Sequence, residues 1–228
     1  MRTALLVLSG CAGTGAPETP DVGALAASVT AQTASRRSAH VTFQTAGGTT
    51  GQGDYRVSPD VAADFSMSSA LGPARFILLD KVIYLRLPQT ERSARPWTRF
   101  AAGSADLADA MIEQADIGRQ LEKIRTAGTV TGTATEHPDG RPTTRYTIDV
   151  DLARLIDAER DTVVQGSLRE LAKRGVTRIP YRLWLDGENL PVRIAVDLPG
   201  RSSTTDYTRW GEPVQVAAPP GNQVTDRT

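Results

Sequence analysis

The sequence predicts an α+β fold: a single curved antiparallel sheet, a half-barrel of about ten strands, with helices packed on its concave side. Three observations carry that reading. Apolar residues recur at every second position in many short stretches, which is the period of a half-buried strand. Most of these stretches are joined by short turns rich in Gly, Asp, Asn or Pro, as antiparallel neighbours require. In three places the alternation gives way to apolar stripes of helical period.

The first stripe is Val22, Leu25 and Val29, with Asp21 placed to cap the helix and Arg36-Arg37 near its end. From Ser38 the period is two: Ala39, Val41 and Phe43 alternate with His40, Thr42 and Gln44, and Gly47-Gly48 offers a tight turn. Further strands are predicted at Thr50 to Val57, Val61 to Leu71 and Ala74 to Leu79, and, across the two-residue turn Asp80-Lys81, at Val82 to Leu87. Between Pro88 and Ala127 the pattern reads as helical, with Ser104 and Asp116 as caps, Ile117, Leu121 and Ile124 as the stripe, and Gly118 dividing two short helices. Strands return at Thr129 to Thr135 and Thr143 to Val150 around His137-Pro138-Asp139-Gly140. A helical insert spans Leu152 to Arg174, with Val164, Leu168 and Leu171 on one face and Gly175 as its stop. Strands at Ile179 to Leu185, Val192 to Leu198 and Ser203 to Tyr207 complete the set.

Composition bounds the function. The chain has 228 residues, 39% of them hydrophobic, and 26 basic side chains balance 26 acidic ones. A formal charge of zero gives no general attraction to nucleic acid, and none is expected as a partner. One cysteine and two histidines cannot furnish a structural zinc site or an internal disulfide, so no metal or cofactor is expected.

The lone cysteine has a different context. Arg2 precedes the apolar run Thr3-Ala4-Leu5-Leu6-Val7-Leu8, and Ser9-Gly10 follows, which is the order of an export signal: charge, short apolar core, small residues before a cut. The run is far shorter than the ~20 residues that span a bilayer. Leu8-Ser9-Gly10-Cys11 resembles the lipobox of bacterial lipoproteins at all four positions. That resemblance implies diacylglyceryl transfer to the Cys11 sulfur and cleavage before it. Residues 1–10 then form the signal peptide, 11–20 a small, polar, Pro-containing tether, 21–220 the folded domain and 221–228 a tail. The expected location is the outer face of the cell membrane, held by lipid on Cys11.

Read by period two, one sheet face carries Val41, Phe43, Tyr55, Phe65, Met67, Phe76, Leu78, Ile83 and Leu85. Leu183, Leu185, Ile194 and Val196 join it or its reverse, and Leu121 and Leu168 belong to helical stripes that must cover something. A curled sheet with helices on its hollow side is either filled by these side chains or left with a cavity. Only 5% of the chain is aromatic, and modest side chains leave space.

In this order the chain resembles the actinobacterial LppX/LprA/LprF/LprG lipoproteins, whose fold is similar to the periplasmic carriers LolA and LolB. The resemblance covers nearly all of residues 21–220. It rests on the lipobox cysteine, Arg37-Ser38-Ala39-His40-Val41, Asp80-Lys81-Val82-Ile83-Tyr84, the exposed-looking Pro96-Trp97-Thr98, Pro180-Tyr181-Arg182-Leu183-Trp184-Leu185, Leu190-Pro191-Val192-Arg193 and Tyr207-Thr208-Arg209-Trp210-Gly211-Glu212-Pro213-Val214. It implies a hydrophobic cavity for the acyl chains of a lipid, glycolipid or lipoglycan. The candidate lining is Val41, Phe43, Tyr55, Phe65, Met67, Phe76, Leu78, Ile83, Leu85, Leu121, Leu168 and Leu183. It also implies a monomer carrying or presenting that lipid in the envelope, with an envelope transporter as a further partner. The insert around Leu155 to Gly175 is longer than the family's.

Catalysis is not expected. The sequence lacks a Gly-x-Ser-x-Gly elbow, a His-Glu-x-x-His motif and a phosphate loop. His40 falls on the polar side of a strand, His137 in a turn, and Asp149 and Asp151 at a strand end where a helix cap is needed. The rival reading is an envelope scaffold or signalling lipoprotein that binds a protein partner and has a filled core.

Overall fold

The computed structural model describes residues 20–90, 93–100, 117–198, 200 and 202–227. The expected signal peptide, Cys11, the expected tether up to residue 19, and the expected caps Ser104 and Asp116 lie outside the described residues.

Helix α1 (Val22–Arg36) begins where expected, because the Asp21 carboxylate accepts a hydrogen bond from the Ala24 N–H at 2.6 Å. Its stripe Val22, Leu25, Ala26 and Val29 is buried, and the chain leaves it through Arg37 in the left-handed region at φ 70°. Strands β1 (Ser38–Thr45), β2 (Thr50–Arg56), β3 (Ala62–Ser69), β4 (Gly72–Leu79), β5 (Val82–Arg86) and β6 (Trp97–Phe100) form an antiparallel meander. The β4–β5 turn is Asp80-Lys81, both at positive φ (52° and 61°), which matches the twist of the flanking strands. After helix α2 (Ile117–Ile124) come β7 (Gly128–Glu136), β8 (Thr143–Asp151), helices α3 (Leu152–Ala158) and α4 (Thr162–Lys173), β9 (Arg178–Leu185), β10 (Pro191–Val196), β11 (Ser203–Thr208) and β12 (Val224–Arg227).

All of these strands belong to one sheet of 12, in the order β12-β6-β5-β4-β3-β2-β1-β11-β10-β9-β8-β7. Two meanders are thus joined side by side through the antiparallel β1–β11 pair, where Val41 faces Tyr207 and Phe43 faces Thr205. Every neighbouring pair is antiparallel except β12 with β6, which is parallel. The helices α1 and α2 pack on the concave side. There Val22, Leu25, Val29, Ile117, Leu121 and Ile124 join Ala39, Tyr55, Ile148, Val150, Leu183 and Leu185 in the main core. Among the described residues no helix is long and apolar enough to cross a membrane.

Several expectations are corrected. The segment from Pro88 is not all helical, since Trp97–Phe100 pairs with β5. Trp97 is buried, not exposed, beneath the guanidinium groups of Arg75 and Arg86 at 5.8 and 5.6 Å from its ring centre. The supposed tail beyond residue 220 supplies β12, which caps the β6 edge with the Arg99–Asp226 ion pair at 2.8 Å. The helix expected before Gly118 falls on residues outside those described. Gly118 itself is the second residue of α2, where a Cβ would collide with the Thr30 side chain, so its bare α-carbon lets α1 and α2 approach closely. The insert at 152–174 is two helices, because Glu159, Arg160 and Asp161 interrupt the pattern. Asp151 caps α3 by accepting from the Arg154 N–H at 3.1 Å, while Asp149 pairs with Arg178 at 3.2 Å.

Strand alternation turns many charged residues of these strands to the convex face. There ion pairs run Arg75–Asp64 (2.6 Å), Arg193–Asp206 (2.5 Å), Arg182–Asp197 and Arg145–Glu136 (2.6 Å), and His40 Nδ1 hydrogen-bonds with Asp54 Oδ1 across β1 and β2 (2.9 Å).

Candidate functional site

The concave face is filled beneath α1 and α2 but hollow beside them. Between β1–β4 on one wall and β9–β11 on the other lies a cavity of about 530 Å³, within the range of roughly 300–1,000 Å³ common for small-molecule sites.

Its geometry follows from register. One cross-strand row reads Met67, Gly51, Phe43, Thr205, Ile194, and the next reads Phe65, Gly53, Val41, Tyr207. In both rows β2 contributes only a glycine, so the sheet surface there is bare backbone. The Phe43 ring folds over Gly51 and the Phe65 ring over Gly53. A Cβ at Gly51 would strike the Phe43 ring, and one at Gly53 would strike the Asp64 carbonyl oxygen. The two rings meet edge to face, 6.3 Å apart at 62°.

The first wall is made of Val41, Phe43, Tyr55, Ala63, Phe65, Met67, Phe76 and Leu78. The second has Tyr181, Ile194, Val196, Ser203, Thr205 and Tyr207, and Gln120 enters from α2. None of the described lining residues is charged. Apart from the Tyr55 hydroxyl, the polar side chains stand on the second side: Ser203 and Tyr181 both lie opposite Val196 in a single row, and the Tyr181 hydroxyl donates to Gln120 Oε1 at 3.5 Å. Burial pushes the Tyr181 phenol up to about 12, so it remains protonated at neutral pH.

Seven of the residues expected from sequence line this cavity: Val41, Phe43, Tyr55, Phe65, Met67, Phe76 and Leu78. The other five described ones do not. Ile83 is buried with Ala63, Phe76 and Leu78 in a second apolar cluster, and Leu85 packs against it. Leu121 and Leu183 are consumed by the main core, and Leu168 leans on that core from α4. Sequence reading missed Ala63, Gln120, Tyr181, Ser203, Thr205 and Tyr207. The period-two spacing of Ser203, Thr205 and Tyr207 was a usable signal, hidden because two of the three are hydroxyl residues.

Several titratable groups elsewhere are engaged in structural contacts. His40 Nδ1 and Asp54 Oδ1 pair on the convex face, away from the cavity, with Arg209 3.8 Å from the same carboxylate. Glu136 accepts from Trp184 Nε1 at 2.8 Å and from Arg145 Nε, and these bonds hold its carboxyl below the ordinary range. Among the described residues no group of three or more His, Cys, Asp or Glu side chains is placed to hold a metal ion.

Neither a family model nor a curated protein matches the sequence. Solved structures do match in fold. One is LprF from Mycobacterium bovis, 17% identical with a TM-score of 0.57, over 88% of this chain and 97% of that one. Another is the Mycobacterium tuberculosis lipoprotein LppX, 22% identical with a TM-score of 0.54, over 85% of this chain and 98% of that one. The open, curled sheet with its helices is therefore the fold of these mycobacterial structural neighbours.

Proposed function

From a fold shared with LppX and LprF, we propose that this chain is an exported lipoprotein, cut before Cys11 and anchored to the outer face of the cell membrane by lipid on that cysteine. Its domain holds an acyl chain of a lipid, glycolipid or lipoglycan and carries or presents it in the envelope. The observation that carries this reading is the cavity of about 530 Å³ with an uncharged, largely apolar lining on the concave face.

The energetics suit such a role. A chain of roughly sixteen methylenes at ~0.8 kcal/mol each represents about 13 kcal/mol against water, so a lipid leaves a bilayer only for a comparably apolar environment. At the ~30 Å³ that a water occupies in the liquid, and with a methylene of similar size, the cavity has room on the order of one such chain. A tether would keep that environment beside the membrane it exchanges with. The hollow concave face speaks for this over a scaffold with a filled core.

The test is native mass spectrometry, with lipid extraction, of the Cys11→Ala chain purified from its host. Copurifying acyl lipid at up to one molecule per chain is expected. A lipid-free chain with no saturable site for a hydrophobic fluorophore would sink the proposal.

A further inference from the structure

The cavity's two walls differ in a way that bears on which acyl compounds fit. The β1–β4 wall offers hydrocarbon contact alone apart from the Tyr55 ring and its hydroxyl, whereas the opposite wall presents the Ser203 and Thr205 hydroxyls, with Tyr181 and Gln120 close by. What it lacks among the described lining residues is any cation. The reason is built into the strands. Arg182 and Arg193 sit on β9 and β10, but each is one residue out of phase with Tyr181 and Ile194, so alternation sends them to the convex face. There they pair with Asp197 and Asp206. Arg75, one residue from Phe76, is held outside by Asp64 in the same way.

Resting on the acyl-binding reading above, we infer that the cavity selects chains joined through a neutral ester or amide and rejects the ionised free fatty acid, with Ser203 and Thr205 donating to the linkage carbonyl. A buried carbonyl is satisfied by one or two hydroxyl donors. A carboxylate needs a cation or several donors to offset its desolvation, and the wall provides only neutral groups. The Tyr181 phenol, protonated at neutral pH, adds no charge of either sign.

The experiment uses the full chain carrying Cys11→Ala and displacement of diphenylhexatriene by monopalmitoylglycerol, methyl palmitate and sodium palmitate at pH 8. Both esters are expected to compete at least about tenfold better than palmitate, given the cost of burying an unpaired charge. Ser203→Ala with Thr205→Val should weaken the esters by about two- to tenfold per lost hydrogen bond, while hexadecane competes as before. Thr205→Ser should retain the ester preference. Palmitate competing as well as the esters would overturn the inference while leaving acyl binding intact. So would equal weakening of ester and hexadecane in the double variant, since the hydroxyls would then be packing groups only. If diphenylhexatriene finds no saturable site on the parent chain, it is the acyl-binding reading itself that fails.

Discussion

At the residue scale the cavity depends on what β2 omits. Gly51 and Gly53 leave backbone where side chains would stand, and the Phe43 and Phe65 rings lie across them. The two glycines are not equivalent. At Gly51 the obstacle is a ring that can rotate, so Gly51→Ala should cost about 1 kcal/mol and shift Phe43 into the cavity, weakening fluorophore binding. At Gly53 it is the Asp64 backbone oxygen, so Gly53→Ala must separate β2 from β3 and should cost about 3 kcal/mol. Urea unfolding of the pair checks the ranking; equal losses would refute it. On the convex face, Glu136 illustrates a pH-linked contact. Its bonds to Trp184 and Arg145 hold its folded-state carboxyl below the ordinary value of 4.5, so the stability it contributes is present above that value and lost as pH falls through the lowered one. The stability gap between the parent chain and Glu136→Gln should therefore be full at pH 7 and shrink steadily below about pH 4.5, as measured by thermal unfolding across pH.

At the element scale, two strands were invisible to periodicity for the same reason. β6 and β12 have four residues each, too few to show an alternation, and they stabilise one another by parallel pairing across more than a hundred residues of sequence. Truncation after Pro220 would leave β6 as an unprotected edge and remove the Arg99–Asp226 pair. We expect a loss of roughly 1–2 kcal/mol and greater self-association at high concentration, seen by light scattering; an unaltered chain would show β12 to be dispensable. Elements with strong local signals were legible: Asp21 and Asp151 cap helices, Asp80-Lys81 turns a hairpin, and Gly175 ends α4 at φ 83°. The contact role of Gly118 was not legible, because its neighbour there, Thr30, is brought to it only by the fold.

At the scale of the whole molecule, the sheet order makes the concave face continuous from β9 to β6, with helices over one part and the cavity over another. The proposed anchor makes a prediction at this scale: Cys11→Ala should abolish labelling by a radioactive fatty acid and move the domain from the membrane fraction to the soluble one. Unchanged membrane retention would count against anchoring through Cys11.

By itself the sequence determined which face each strand residue takes, because alternation is a local property: Val41, Phe43, Phe65 and Met67 point one way whatever else the chain does. Composition likewise spoke against metal and nucleic-acid chemistry. Whether those side chains meet one another or surround space was decided only by the tertiary structure. That outcome depends on the curl of the continuous stretch from β4 through β1 and β11 to β9, on α1 and α2 packing over Leu183 but not Phe76, and on two glycines whose effect appears only when rings fold over them. Apolar residues lower their free energy equally well in a filled core or around an acyl chain, so no local pattern separates the two.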